Sequence, residues 1–229
     1  DGVTWTPRAA SVDNGWQSVA YGNGTFMAVS SQGSAMTSPD GISWTSAAST
    51  GFDTRALAFG NGVFVAIGIQ SPYAKTSSDN GASWSSATGA HKTQYYGATF
   101  GNNLFVAVGS PVGSVADAIY SNADGSAWIS SDHVYGVGGV PIHQWNDVTY
   151  GAGIFVAVDQ RGAGFLVMTS TDGMSWTPRV TTGDHRWEGV VYGDGIFVAV
   201  ADRADSSPGI ERIMTSPDGI TWTIQDAPI

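Results

Sequence analysis

"SPDGISWT", Ser38–Thr45, returns near the far end of the chain as "SPDGITWT", Ser216–Thr223. Three variants stand between them: "SSDNGASW" at 77–84, "SNADGSAW" at 121–128 and "STDGMSW" at 170–176. A second phrase precedes each copy: "VAYGNGTFMAV", "LAFGNGVFVAI", "ATFGNNLFVAV", "VTYGAGIFVAV" and "VVYGDGIFVAV", with glycines at Gly22, Gly60, Gly101, Gly151 and Gly193. The period is 38 to 50 residues, the range of a propeller blade.

Each unit predicts four strands. Strand A ends at the Tyr or Phe of the first phrase, and a tight Gly-Asn-Gly type of turn leads to strand B, where glycine permits positive φ. Strand C is short, as in "SAMTS", and an Asp-Gly turn delivers strand D, as in "ISWTSA". No stretch shows helical periodicity, so the chain is expected to be all-β: a five-bladed β-propeller of four-stranded antiparallel blades. One propeller is expected over 1–229, with blades at about 14–50, 51–90, 91–142, 143–184 and 185–229. A sixth, partial copy, "DGVTWTPR" with Trp5, opens the chain, and residues 1–13 are expected to form a surplus N-terminal or closing outer strand. Opening in mid-motif, the chain reads as a processed or excised piece of something larger.

Composition supports an all-β chain and narrows its partners. Nine Trp, eight Tyr and nine Phe supply large apolar surfaces, 31 Gly supply turns, and only 12% of residues are charged. A net charge of -10 and nine scattered Lys and Arg argue against nucleic acid, which requires clustered cations. No stretch approaches 18 apolar residues, so membrane insertion is not expected. The absence of cysteine excludes disulfides and thiolate metal sites.

The Ser-Asp-Gly-Trp phrase resembles the Asp-box of bacterial neuraminidase-type repeats, written S-x-D-x-G-x-x-W, in a shortened form closer to repeats of bacterial and phage surface proteins. That resemblance implies a propeller in which the motif is scaffold, away from any catalytic face. The structural set is Asp40, Trp44, Asp79, Trp84, Asp124, Trp128, Asp172, Trp176, Asp218 and Trp222. Each Asp is expected to accept hydrogen bonds from its own turn, and each Trp to wedge between blades. The sialidases that the resemblance brings to mind have six blades, an arginine triad, a Tyr–Glu nucleophile pair and an acid Asp. Here there are five units, and only Arg55 and Arg186 lie near strand-A entrances, so activity is not carried over.

The five units form an internal alignment that locates a site. The A–B and C–D turns, on one face, are nearly constant, whereas the B–C and D–A connections on the opposite face differ in every unit. At the strand-A entrance stand Trp16, Thr54, Tyr95, Trp145 and Trp187, each followed by a residue that can hydrogen-bond: Gln17, Arg55, Tyr96, Asn146 and Glu188. Just outside lie Asp53, His91, Lys92, His143, Gln144, His185 and Arg186. Rings beside hydrogen-bonding groups suit a sugar's apolar face and hydroxyls, although rings there also fill gaps between inner strands. The candidate ligand contacts are Trp16, Arg55, Tyr95, Tyr96, His143, Trp145, Asn146, His185, Arg186, Trp187 and Glu188. The three entrance histidines sit on separate blades, His143 and His185 at equivalent positions and His91 out of phase, so no metal is expected, and no cofactor. Asp147 stands where other units carry Ser18, Ala56, Gly97 and Gly189, and is expected to turn to the channel and bond water or backbone.

The function expected from these residues is a non-enzymatic binding module, extracellular, cell-surface or virion-borne, recognising a glycan or a surface protein receptor through the B–C and D–A face. The alternative is a structural or protein-interaction propeller domain of a larger protein.

Overall fold

The structure, a computed structural model, describes residues 4–12, 14–90, 94–110, 118–131, 144–161, 166–181, 185–202 and 213–225. They form five four-stranded antiparallel sheets and no helix. The first sheet runs β1 (Trp16–Gly22), β2 (Thr25–Ser30), β3 (Ala35–Ser38), β4 (Thr45–Ala47). The second runs β5 (Thr54–Gly60), β6 (Val63–Gly68), β7 (Ala74–Ser77), β8 (Ser85–Ser86). The third is β9 (Gln94–Gly101), β10 (Leu104–Ser110), β11 (Ala118–Ser121), β12 (Trp128–Ser130). The fourth is β13 (Trp145–Gly151), β14 (Ile154–Asp159), β15 (Val167–Ser170), β16 (Thr177–Arg179). The fifth is β17 (Trp187–Gly193), β18 (Ile196–Ala201), β19 (Ile213–Ser216), β20 (Thr223–Gln225). This is the five-bladed propeller architecture expected from the repeat. Strand order within every sheet follows the chain, so each blade is a meander built from local hairpins.

The A–B hairpins differ from expectation in one detail. Their two loop residues carry the positive φ, as at Asn23 (48°) and Gly24 (73°) or Asp194 (50°) and Gly195 (81°), which is the type I′ pattern that follows strand twist. The first glycine of each phrase serves another purpose. A Cβ on Gly22 would fall inside the ring of Phe59, on Gly60 inside Phe100, on Gly101 inside Tyr150, and on Gly151 inside Tyr192. Each of the first four blades therefore offers a bare patch of backbone on which the next blade's aromatic sits. That ring also packs across its own hairpin, as Tyr150 does on Phe155 with centroids 4.6 Å apart.

The core lies between blades. Its four clusters of buried residues each join neighbouring sheets: Met27 and Val29 with Leu57 and Phe64, Val65 and Ile67 with Tyr95 and Phe105, Val106 and Val108 with Trp145 and Val148, and Val156 and Val158 with Trp187 and Val190. Residues Trp128 and Trp222 are buried in these joints, and Trp84 and Trp176 pack against them, so the wedge role holds for blades two to five. Trp84 donates its indole N–H to the Ala48 carbonyl of the preceding blade, at 3.0 Å.

The Asp turns close as expected. Asp40 Oδ1 accepts from the backbone N–H of Ile42 and Ser43, both at 2.8 Å, while Ser38 Oγ accepts from Gly41 N. Asp172 and Asp218 repeat the pattern, and Asp79 reproduces it in its longer turn through Ser83. The third blade is looser: Asp124 accepts from Ser126 N, while Asn122 Oδ1 accepts from Ala127 N at 3.4 Å.

The N-terminal segment departs from expectation. Residues 4–12 form no strand, each of the five sheets is complete with its own four strands, and Trp5 is 85% exposed. Residues 1–3 and 13 lie outside the described residues. Each sheet already has its own fourth strand, so the partial copy does not take the place of one. Ser46 Oγ donates to Ser11 Oγ at 3.2 Å, which ties the segment beside β4.

Candidate ligand-binding site

The site begins with a defect repeated in every blade. On strand A the ladder skips one residue: Trp16 pairs Ser30 and Ser18 pairs Val29, leaving Gln17 unpaired. The same shift passes over Arg55, Tyr96, Asn146 and Glu188. A β-bulge re-aims the skipped side chain and resets the alternation beyond it. Hence Trp145 and Val148, three residues apart, are both buried in the same joint, which an unbroken strand forbids. The bulged residues are turned instead to the middle of the molecule.

There they line one cavity of about 530 Å³, to which all five blades contribute: Gln17 and Ser18, Arg55 and Ala56, Tyr96 and Ala98, Gln144, Asn146, Asp147 and Gln160, and Glu188. The size is that of a small-molecule site. A chain of amides crosses its wall. Gln144 Nε2 donates to Gln160 Oε1 at 2.6 Å, and Gln160 Nε2 donates to Glu188 Oε1. Asn146 Nδ2 donates to both the carbonyl and Oε2 of Glu188, at 2.8 and 2.9 Å. Arg55 is held by a two-pronged ion pair with Asp53, Nε to Oδ1 at 2.9 Å and Nη2 to Oδ2 at 3.1 Å. Tyr96 donates its hydroxyl to Gln94 Oε1 at 2.8 Å.

Asp147 bridges two blades. Its carboxylate accepts from Val148 N at 2.8 Å and from Val190 N of the next blade at 2.9 Å. Ser18 makes the equivalent link, accepting from Leu57 N at 3.1 Å. Desolvation pushes the Asp147 pKa up from 3.8 to about 6, against the opposing pull of the two backbone donors. Its expected bond to backbone is therefore present.

The candidates divide by depth. Arg55, Tyr96, Asn146 and Glu188 meet at the cavity, as does Gln17. Tyr95, Trp145 and Trp187 are fully buried in the joints, and Trp16, on the first blade, is half-buried; none of them lines the cavity. The rings thus stand behind the polar residues as packing. His185 rests edge-on against Trp187 with centroids 5.6 Å apart. Arg186 lines a second cavity of about 300 Å³ with Gln144, Gln160 and Arg161, on the side of the B–C and D–A connections. His91, Lys92 and His143 lie outside the described residues. Sequence reading passed over Gln160 and Arg161 as site residues. They begin a B–C connection, opposite the strand-A entrance to which Gln144 N–H···O pairing joins them: Gln160 N donates to Gln144 O at 3.0 Å. Among the described residues no group of His, Cys, Asp and Glu could hold a metal ion.

No family model matches the chain, and no curated protein matches it. Solved structures do. The chain is similar to YCF48 bound to D1 peptide (TM-score 0.64, 15% identity), matching over 97% of its own length and 71% of that chain. It is similar to virginiamycin B lyase from Staphylococcus aureus (TM-score 0.72, 11% identity; 94% and 71%). It also resembles the GH74 enzyme of Niastella koreensis (TM-score 0.70, 12% identity; 94% and 38%). At such identities the likeness is one of fold, shared by a peptide-bound protein and by enzymes: the chain is a β-propeller.

Proposed function

We propose that this chain is a non-enzymatic binding module of an extracellular, cell-surface or virion protein, built on Asp-box-type repeats, and that it binds a glycan through the face bearing the B–C and D–A connections. The observation that carries this reading is the bulge repeated in five blades, which turns five hydrogen-bonding side chains to one cavity. Amides and carboxylates held in a mutual network are pre-oriented, and they match the alternating donors and acceptors of sugar hydroxyls. Tyr96 adds a flat ring with a polar tip, the type of surface on which a pyranose face stacks. Each oxygen of the Glu188 and Asp147 carboxylates accepts from a protein donor, which fixes both groups in place at the cavity wall.

A second reading, a protein-interaction platform, is favoured by one observation: a similar propeller was solved with a bound peptide. A glycan array probed with the chain and with an Asn146→Ala, Glu188→Ala double variant separates the two. Saturable glycan binding that the folded variant loses supports the glycan reading. No binding by the folded parent chain rejects it and leaves the peptide reading ahead.

A further inference from the structure

Four blade joints are built to one plan. At each, the aromatic of one blade covers the bare glycine of the blade before it, and the Asp-turn glycine of the later blade rests against strand B of the earlier: Gly81 on Met27, Gly125 on Val65, Gly173 on Val106 and Gly219 on Val156. On the first and fifth sheets, half of such a joint stands uncovered among the described residues.

On the fifth sheet, Gly193 has no atom within 4 Å of an added Cβ, and it is exposed where its four equivalents are buried. Beside it Val200 is 46% exposed, whereas Val29, Ile67, Val108 and Val158 at the same position are at 0%. Val191 is exposed too, and Val198 only half-buried. On the first sheet the complementary half is bare. Val19 is 59% exposed, while Leu57, Val148 and Val190 at its position are 3 to 7% exposed. The Tyr21 ring is 58% exposed, and Gly41 meets only Phe26 of its own blade. Trp44, alone among the five turn tryptophans, belongs to no joint cluster.

We propose that these two faces are half-joints whose occupant is a further four-stranded unit of this same repeat. Its aromatic would seat on Gly193 and its Asp-turn glycine on Val198, while its own bare glycine would take up a ring such as Tyr21. The exposed Val19, Tyr21, Val191 and Val200 on these faces carry no charge, and the surface that covers their equivalents is the one seen four times in this chain. A second whole copy carries the same knobs, whereas a single unit seated on both faces would add one inner strand to the five that line the cavity.

The test extends the full chain. A copy of residues 184–229 placed after residue 229 reproduces the seven-residue spacing between β16 and β17. The extended chain is expected to melt about 5 °C or more above the parent. Val191 and Val200 methyls, relaxed by a soluble paramagnetic agent in the parent, should become protected in it. Gly193→Leu should leave the parent's midpoint within about 1 °C, since the position opens on solvent, and should cancel the gain in the extended chain. An extended chain with no gain and no protection overturns the proposal. So does a parent chain whose Val19 and Val191 are already protected, whether as a monomer closed on itself or as a dimer, which mass measurement distinguishes.

Discussion

At the scale of single residues, the molecule depends on where a side chain is missing as much as on where one is present. Gly101 and Gly151 lie under the rings of Tyr150 and Tyr192, so even one methyl group displaces a neighbouring blade. Gly151→Ala should cost about 3 kcal/mol in chemical denaturation, the upper part of the range for overpacking, because backbone and ring must both move. Gly193→Ala, with the same sequence context and no ring above it, should cost less than about 1 kcal/mol. Trp187 is fully buried in the fourth joint, and Trp187→Ala should cost about 3–5 kcal/mol. These positions also mark what could be read beforehand. Gly22 and its equivalents announced themselves by repetition, but repetition does not separate a glycine needed for φ from one needed for contact. Only the neighbouring blade reveals which, and that neighbour is about 40 residues away in sequence.

At the scale of elements, two kinds of carboxylate pull stability in opposite directions with pH. The turn aspartates are held below their ordinary value by hydrogen bonds: the Ser83 hydroxyl and N–H take Asp79 down to about 2, and the N–H groups of Ser43 and Ile42 lower Asp40. Their contribution is complete above the unfolded value near 3.8 and is lost as pH falls through the folded one. Asp147 runs the other way. Burial raises it to about 6, so the fold prefers its neutral form, and its penalty is absent below 3.8 and full above about 6. Asp147→Ser installs the residue that Ser18 supplies in the first blade and keeps an acceptor for the next strand. Stability followed from pH 4 to pH 7 should fall less in this variant than in the parent, by on the order of 2–3 kcal/mol. An unchanged slope would show that Asp147 titrates normally.

The bulge in strand A belongs to this scale as well. The rule that residues alternate across a strand assigns Trp145 and Val148 to opposite faces, and the spacing of the aromatics alone did not reveal the extra residue. Ring and polar neighbour therefore read in sequence either as one ligand surface or as a packing ring beside a polar group; the bulge sends the ring to the joint and the polar residue to the cavity. Arg55, Tyr96, Asn146 and Glu188 were legible because they hydrogen-bond at a fixed offset from the repeat. Gln160 was not, because its place depends on the pairing across the B–C connection.

At the scale of the whole molecule, a repeat with a period near 40 residues and no helical signal leaves one economical architecture, and blade number followed from counting phrases. The faces at the two ends of the row were beyond counting, since an exposed Val19 reads the same in sequence as a buried Leu57. Five blades surrounding one polar cavity place side chains from separate repeats within reach of one ligand, which is how a repetitive scaffold acquires a single asymmetric site. The measurement that tests this most directly is a two-dimensional NMR titration with the best glycan from the array. The account predicts saturable shifts centred on Gln17, Arg55, Tyr96, Asn146 and Glu188, with the Asp-turn face unchanged. Shifts centred on the Asp turns, or none around the cavity, would contradict it.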